Sequence, residues 1–157
     1  MTSVNTRTSG RLGFKITDIG FGAAPIRNFL KPISEQETGA MIACALDAGM
    51  RYFDTAPYYY GHGLAELRLG HYLRWRPRDE FLLSSKMGRV LMAARRRDVD
   101  FRPWGGAAEF KTRFDYTYDG TMRSFEDPLQ RLGVEYFDIL FIHDCEVFTH
   151  GPEMQKF

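Results

Sequence analysis

The chain has 157 residues and a formal net charge of +1; 44% of its residues are hydrophobic, 15% aromatic and 26% charged. This length predicts a single domain over residues 1–157, and the composition is that of a chain able to bury a core. The near-zero charge argues against nucleic acid or an anionic membrane surface as a partner, and no apolar run is long enough to cross a bilayer.

Apolar residues and turn formers alternate along the chain in a pattern typical of short strands and helices. Ser34 precedes Glu37 by three residues, a capping box that predicts the start of a helix, and Gly49 is placed to end it. The predicted elements in chain order are a hairpin over residues 6–17 with its turn at 9–10, a brief strand over 18–22, a helix over 34–49, a strand over 52–54, a helix over 64–73, a strand over 80–86, a helix over 121–132 and a strand over 136–143.

The order of these elements predicts an α/β fold with a parallel sheet. After the hairpin, strands and helices alternate, and strands joined by helical crossovers run parallel. Four such strands leave one edge and part of the apolar faces uncovered. The sheet is therefore predicted either to be half of a larger barrel or to pair with another copy of the chain.

Residues 87–120 show no helical periodicity. A segment this long is usually functional or disordered, and its many aromatic residues favour a folded lid that lines a pocket. Within it, Arg95–Arg97 is the one basic cluster; a solvated loop is the favoured interpretation, and a contact to a cofactor phosphate is the alternative. The aromatic residues are Phe101, Trp104, Phe110, Phe114, Tyr116 and Tyr118.

Three predicted strands end on residues that can take part in acid–base chemistry. They end on Asp54, Lys86 and His143, and three consecutive tyrosines, Tyr58–Tyr60, follow Asp54 closely. In parallel α/β folds the carboxyl ends of the strands meet at one edge, where the loops carry the catalytic groups. We therefore expect these side chains to lie close together.

These residue types can relay a proton to a carbonyl group. The pKa of a free tyrosine is near 10, and a neighbouring ammonium such as Lys86 lowers it by stabilising the phenolate, while Asp54 holds the ammonium. A neutral His143 can donate a hydrogen bond to a substrate oxygen, which gains negative charge as a hydride arrives. The hydride itself has to come from a cofactor.

Each of these residues also has a purely structural interpretation. Asp54 can close an Asx turn, Lys86 can be a solvated surface charge, and His143 can be a buried structural residue. Their joint position at three strand ends favours the catalytic interpretation. A metal-dependent barrel hydrolase is disfavoured, because the histidines show no spacing that pairs them with carboxylate ligands. The histidines are His62, His71, His143 and His150.

Several motifs resemble those of the aldo-keto reductases, and their order from about Leu12 to the C-terminus makes the resemblance specific. The motifs are Gly20-Phe-Gly22, Phe53-Asp-Thr-Ala-Pro57, Tyr60-Gly-His-Gly-Leu-Ala-Glu66, Leu83-Ser-Ser-Lys86 and Leu132-Gly-Val-Glu-Tyr-Phe-Asp-Ile-Leu-Phe-Ile-His143. The resemblance implies a (β/α)8 TIM-barrel fold, of which this chain covers an N-terminal β-hairpin and about the first four strands.

The resemblance also implies a cofactor and a set of catalytic residues. The cofactor would be NADP or NAD, and the catalytic tetrad would be Asp54, a tyrosine, Lys86 and His143, with the tyrosine as proton donor or acceptor. Gly22 and Asp54 would lie near the nicotinamide end of the cofactor. The implied reaction is hydride transfer between the nicotinamide and an aldose or a small aldehyde or alcohol.

Within the family, residues 114–120 and 142–151 resemble the branch that contains D-threo-aldose, L-fucose and pyridoxal dehydrogenases. The matching motifs cover about the first half of the family's length. The alternative to an enzyme is therefore a non-catalytic half-barrel that folds by assembly with a copy or a partner.

The sequence departs from the family pattern at two further points. Spacing from Asp54 selects Tyr59 as the catalytic tyrosine, whereas adjacency to Gly61 selects Tyr60, so both remain candidates. Pro128 falls inside the predicted helix over residues 121–132, where it removes a backbone donor at a cost of about 3 kcal/mol.

The two cysteines, Cys44 and Cys145, indicate a reducing compartment rather than a disulfide framework. The N-terminus lacks the apolar core of a signal peptide. We therefore expect a soluble cytoplasmic protein whose partner is a small-molecule substrate.

Overall fold

Strands and helices alternate through the described part of the chain, which in the computed structural model comprises residues 4–58, 61–102 and 106–152. The strands are β1 (Thr6–Thr8), β2 (Lys15–Thr17), β3 (Phe21–Gly22), β4 (Tyr52–Asp54), β5 (Leu82–Met87), β6 (Arg89–Ala93), β7 (Phe110–Phe114) and β8 (Ile139–Ile142). The α-helices are α1 (Glu35–Asp47), α2 (Leu64–Leu73), α3 (Tyr118–Leu132) and α4 (Val147–His150).

A four-stranded parallel sheet forms the centre of the structure, with the strand order β3-β4-β5-β8. Helix α1 connects β3 to β4, α2 connects β4 to β5, and α3 lies between β5 and β8. In the register of this sheet Asp54 lies opposite Ser84, and Lys86 lies opposite Phe141. The predicted parallel α/β arrangement is confirmed, since each helix returns the chain to the same end of the sheet.

The N-terminal hairpin pairs β1 with β2 in antiparallel fashion, as predicted. Its connection is longer than the predicted two-residue turn, because a short 3-10 helix over Gly10–Leu12 intervenes. The capping box of α1 is confirmed: the Glu37 amide donates to the Ser34 hydroxyl at 3.1 Å, and the Ser34 amide donates to the Glu37 carboxylate at 2.7 Å. These contacts satisfy backbone donors that a helix start otherwise leaves unpaired.

Helix α3 begins three residues before the predicted start. The side chain of Thr117 accepts a hydrogen bond from the Gly120 amide at 3.2 Å and so caps the helix. The helix runs through Pro128 without interruption and ends at Gly133, whose φ of 67° lies in the left-handed region that glycine adopts readily. The predicted helix around Pro128 is confirmed as continuous, and the proline within it is buried.

The segment after β5 contains two strands that the sequence did not predict. Strands β6 and β7 form an antiparallel hairpin in which Arg89 lies opposite Phe114. The chain enters it through Gly88, whose φ is 96° and whose absent side chain leaves room for the Tyr116 ring. The described parts of residues 87–120 are therefore folded, as their aromatic content indicated.

The hydrophobic core lies between the sheet and helices α1, α2 and α3. Phe53 on β4 is fully buried and packs edge-to-face against Phe81, with ring centroids 6.2 Å apart. The buried core residues are Ala23, Ile26, Ile42, Leu46, Phe53, Ala65, Leu69, Leu73, Phe81, Leu83 and Leu132. Contributions from α1, α2 and α3 and from β4 and β5 fix the sheet relative to these helices.

Helices α2 and α3 approach each other closely at Gly70. A Cβ added at Gly70 would lie 2.3 Å from the carbonyl oxygen of Leu132 and 2.6 Å from its Cα, so only a backbone shift could accommodate it. We expect Gly70→Ala to lower the free energy of unfolding by about 1–3 kcal/mol. Urea denaturation measures the change.

The matched control is Gly39→Ala, a glycine within α1. There the added Cβ would meet only the side chain of Tyr72, which can rotate away. Alanine also favours a helix by about 0.5–1 kcal/mol over glycine, so Gly39→Ala should be close to neutral. Equal losses for the two variants would contradict the close approach of α2 and α3.

The apolar surface of β8 remains exposed at the edge of the sheet. Leu140, Phe141 and Ile142 expose 37%, 46% and 55% of their surface. The uncovered edge predicted from the sequence is therefore present in the described part of the chain. None of the described helices combines the length and the apolarity that crossing a membrane requires.

Candidate active site

The ends of the central strands bring the predicted polar residues to one edge of the sheet. Asp54 ends β4, Lys86 is the penultimate residue of β5, and His143 directly follows β8. The three strands are neighbours and parallel, so their carboxyl ends lie side by side. The predicted convergence of the three strand ends is confirmed.

Lys86 and Asp54 form an ion pair at this edge. The Lys86 ammonium lies 3.0 Å from Oδ1 and 2.8 Å from Oδ2 of Asp54, and it also donates to the Thr55 carbonyl oxygen at 2.9 Å. Both side chains are partly exposed. Because several acceptors hold the ammonium, its position at the strand ends is well defined.

Two residues that the sequence did not single out support this pair. The Ser84 hydroxyl donates to Asp54 Oδ1 at 2.6 Å, and the Tyr52 hydroxyl lies 2.9 Å from the Ser84 oxygen. Ser84 precedes Lys86 by two residues, and residues two apart in a strand share a face. That spacing was the available signal, but only the register of β4 against β5 places Ser84 beside Asp54.

His143 is buried next to this pair and is neutral at ordinary pH. Its backbone amide donates to the Met87 carbonyl oxygen at 2.9 Å, which continues the pairing of β8 with β5. Burial lowers the pKa of His143 to about 4; the Asp144 carboxylate opposes this shift, and Arg89 and Lys86 add to it. A neutral imidazole can donate one hydrogen bond to a substrate oxygen without carrying a charge.

The two candidate tyrosines, Tyr59 and Tyr60, lie outside the described residues. The described residues on either side of them make defined contacts: the Tyr58 ring stacks on His62 with centroids 5.7 Å apart, and the Ala108 amide donates to the Gly61 carbonyl oxygen at 3.2 Å. The connection between β6 and β7 therefore contacts the chain at Gly61.

Gly22 lies opposite Asp54 in the register of β3 against β4, and the Ala23 amide donates to the Asp54 carbonyl oxygen at 2.8 Å. A Cβ added at Gly22 would contact nothing within 4 Å, so the space beside this residue is open. An apolar cleft of about 620 Å³ adjoins it, lined in part by Phe21, Pro25 and Met41.

The basic cluster in the hairpin loop lies on the surface. Arg96 pairs with Glu109 at 2.9 Å and Arg97 lies 4.0 Å from Asp98, and all of these side chains are exposed. This placement agrees with the solvated loop that the sequence favoured.

A buried ion pair lies on the helices that flank the site. The Glu66 side chain is fully buried, and its Oε2 accepts a hydrogen bond from Arg131 Nε at 2.6 Å, which ties α2 to α3. Burial raises the pKa of Glu66, while Arg131 and, more weakly, Lys86 lower it. No local pattern marked this pair in advance, although Glu66 belongs to the motif over residues 60–66.

Comparison with known proteins adds to these observations. The model of the Aldo/keto reductase family matches residues 18–156. The chain is 39% identical over 154 residues to pyridoxal 4-dehydrogenase of Microbacterium luteolum, covering 92% of this chain and 44% of that protein. It is also 39% identical over 142 residues to D-threo-aldose 1-dehydrogenase of a Pseudomonas species, covering 85% and 42%. The chain thus spans less than half the length of these relatives.

Solved structures show the same fold. A glycerol dehydrogenase from Gluconobacter oxydans superposes with a TM-score of 0.62 at 21% identity, covering 98% of this chain and 43% of that one. An aldo-keto reductase from Klebsiella pneumoniae in complex with NADPH gives a TM-score of 0.58 at 23% identity, covering 89% and 39%. The parallel sheet and its helices therefore correspond to part of a (β/α)8 barrel.

Proposed function

Because this chain belongs to the aldo/keto reductase family, we propose that it carries the proton-transfer residues of a nicotinamide-dependent oxidoreductase. The enzyme would transfer hydride between NADP or NAD and an aldose or a small aldehyde or alcohol. The observation that carries the proposal is the Lys86 ammonium held 2.8 Å from Asp54 at the same strand ends as a neutral, buried His143.

Each side chain has a distinct role in this proposal. Asp54 fixes the Lys86 ammonium, which stabilises the phenolate of the catalytic tyrosine, Tyr59 or Tyr60. That tyrosine gives a proton to the carbonyl oxygen during reduction and takes one from the hydroxyl during oxidation. His143 donates a hydrogen bond to the same oxygen and so orients the substrate.

The open backbone beside Gly22 fits a nicotinamide ring. Gly22 lies opposite Asp54 in the sheet register and leaves its surroundings unfilled, so these two residues would hold the nicotinamide end of the cofactor. When bound, the cofactor supplies or accepts the hydride. The relatives named for aldose and pyridoxal oxidation favour an aldehyde or lactol as the substrate.

A second candidate function is non-catalytic, and the exposed apolar edge of β8 favours it. An unpaired strand of this kind can accept a further strand from a second copy or a partner. In that case the chain would act through assembly rather than turnover.

One experiment separates the two candidates. The complete polypeptide is titrated with NADPH and with NADH while nucleotide fluorescence is followed, and its mass is measured by light scattering after size exclusion. The proposed enzyme binds one nucleotide in the micromolar range and oxidises or reduces a small aldose. Self-association without nucleotide binding would contradict the enzyme and favour the assembly role.

The two cysteines bear on the cellular compartment. Cys44 and Cys145 are both exposed and form no disulfide. Free exposed thiols persist in a reducing environment, which supports our proposal of a cytoplasmic protein.

A further inference from the structure

A turn after β8 brings a second charged group against His143. Successive side chains of an extended strand point to opposite faces. Asp144 instead has a φ of 46°, in the left-handed region that aspartate tolerates better than most residues. The Asp144 carboxylate consequently lies next to the preceding imidazole, with its Oδ2 3.6 Å from His143 Nε2.

A buried arginine fixes this carboxylate. Arg89 Nη2 donates to Asp144 Oδ2 at 2.7 Å, and the Arg89 side chain is only 8% exposed. The guanidinium carbon lies 4.1 Å from the ring centroid of Tyr58 and 3.9 Å from that of Phe114. A guanidinium held between two aromatic rings has little freedom to rotate, so it presents its donors in one direction.

The backbone of the turn is held as well. The Tyr116 hydroxyl lies 2.5 Å from the His143 carbonyl oxygen and 3.1 Å from that of Asp144. Burial raises the pKa of Tyr116 to about 12, so this hydroxyl keeps its proton and remains a donor. The left-handed turn is thus stabilised by the hairpin, which carries Arg89 and Phe114 and leads into Tyr116.

One oxygen of the Asp144 carboxylate remains available. Oδ2 takes the hydrogen bond from Arg89, and within the described ranges of the chain Oδ1 makes no hydrogen bond. The Asp144 side chain is 22% exposed, so part of this carboxylate is accessible beside the imidazole. If Asp144 served only to hold the hairpin of β6 and β7 in place, the contact of its Oδ2 with Arg89 would be sufficient.

We propose that Asp144, positioned by Arg89, accepts a hydrogen bond from the hydroxyl on the carbon next to the reacting carbon of the substrate. This inference rests on the proposed function, in which His143 binds the oxygen of the reacting carbon. Oxygens on adjacent carbons lie roughly 2.8 Å apart, about one hydrogen-bond length, so such a pair can reach both Nε2 and the carboxylate. The site would then prefer 2-hydroxyaldehydes, or the equivalent lactols, over simple aldehydes.

The test compares two aldehydes that differ in that one hydroxyl: lactaldehyde and propanal. In the complete polypeptide we expect Asp144→Asn to lower the ratio of kcat/KM for lactaldehyde to kcat/KM for propanal by about tenfold or more, because the neutral amide is a weaker acceptor than the carboxylate. Both substrates use the same carbonyl chemistry, so any effect on His143 cancels in the ratio.

Two further variants sharpen the result. Arg89→Lys keeps the positive charge but loses the planar guanidinium that orients the Asp144 carboxylate. It should therefore also lower the ratio of kcat/KM for lactaldehyde to kcat/KM for propanal, by about threefold. Asp127→Asn removes a carboxylate that pairs with Arg123 on α3, away from the site, and should leave the ratio unchanged.

The outcomes distinguish this inference from the proposed function. If Asp144→Asn lowers kcat/KM equally for both aldehydes, the Arg89–Asp144 pair only holds the hairpin in place. The inference is then wrong, while the proposed function stands. If Asp144→Asn does not fold, an unchanged ratio in Arg89→Lys overturns the inference instead. If the unmodified protein turns over neither aldehyde with either nicotinamide, the proposed function fails and the inference fails with it.

Discussion

Replacing Lys86 with methionine is expected to lower kcat/KM of the complete polypeptide by about a thousandfold. The methionine replaces the aliphatic part of the side chain but removes the ammonium that would stabilise the tyrosine phenolate, and acid–base catalysis of this kind contributes about 10²–10⁴ in rate. The Asp54 carboxylate would still accept the hydrogen bond from Ser84, so the fold should persist. Nicotinamide absorbance during turnover measures the loss.

The control for this variant is Lys15→Met. Lys15 lies exposed on β2 of the N-terminal hairpin and pairs in the ladder with β1. The same substitution there should leave turnover unchanged, because β2 carries none of the residues proposed to take part in proton transfer. Equal turnover in the Lys86→Met variant and the unmodified protein would rule out the proposed role of the Asp54–Lys86 pair.

Replacing Arg131 with methionine is expected to produce the largest loss of stability. The variant would leave the fully buried Glu66 carboxylate without its partner at 2.6 Å. Removing one member of a buried ion pair typically costs about 3–5 kcal/mol in the free energy of unfolding, because the remaining charge is uncompensated. Urea denaturation of the two proteins at neutral pH measures this cost.

Arg123→Met is the matched control for the stability loss. Arg123 lies on the same helix, α3, but its pair with Asp127 is exposed and 3.4 Å long. Exposed pairs contribute about 0–1 kcal/mol, so this variant should be nearly neutral. Similar losses for Arg123→Met and Arg131→Met would show that burial does not control the effect.

A second substitution should restore most of the stability. Adding Glu66→Met to Arg131→Met removes the unpaired carboxylate and fills the same volume with apolar atoms. The double variant should therefore be more stable than Arg131→Met alone. This result would identify the buried charge, rather than lost packing of the arginine, as the cause.

The stability of Arg131→Met should also depend on pH in a defined direction. Burial raises the pKa of Glu66 above its ordinary 4.5, and Arg131 counteracts this shift. Without Arg131 the pKa rises further, so the folded variant binds a proton more readily than the unfolded chain. Its deficit relative to the native protein should therefore be smallest below pH 4.5 and grow as the pH rises through the raised pKa.

The sequence by itself determined the parallel α/β arrangement and the positions of the acid–base residues. Each strand is a short apolar run, and the residue at or just after its end breaks that run, so Asp54, Lys86 and His143 could be located from the chain alone. The capping box at Ser34 located the start of α1 for a similar reason, because this signal acts within a few residues.

The hairpin of β6 and β7 could not be predicted from the chain. In its first strand the side chains from Arg89 to Leu91 are all buried, so no alternation marks it. Its second strand alternates between partly buried and exposed residues, but five residues of alternation do not identify the strand with which it pairs. Its stability comes from pairing with a strand about twenty residues away and from packing over the turn at Gly61. Such contacts are invisible to a reading of local periodicity.

Only the tertiary structure decided which further groups surround the proposed reaction. Ser84 reaches Asp54 because of strand register, Arg131 reaches Glu66 because two helices pack at Gly70, and Asp144 reaches His143 because the chain turns through a left-handed residue. Each contact joins side chains through the geometry of the backbone rather than through local sequence. Local sequence therefore placed the reacting groups at the strand ends, whereas packing decided which charges lie beside them.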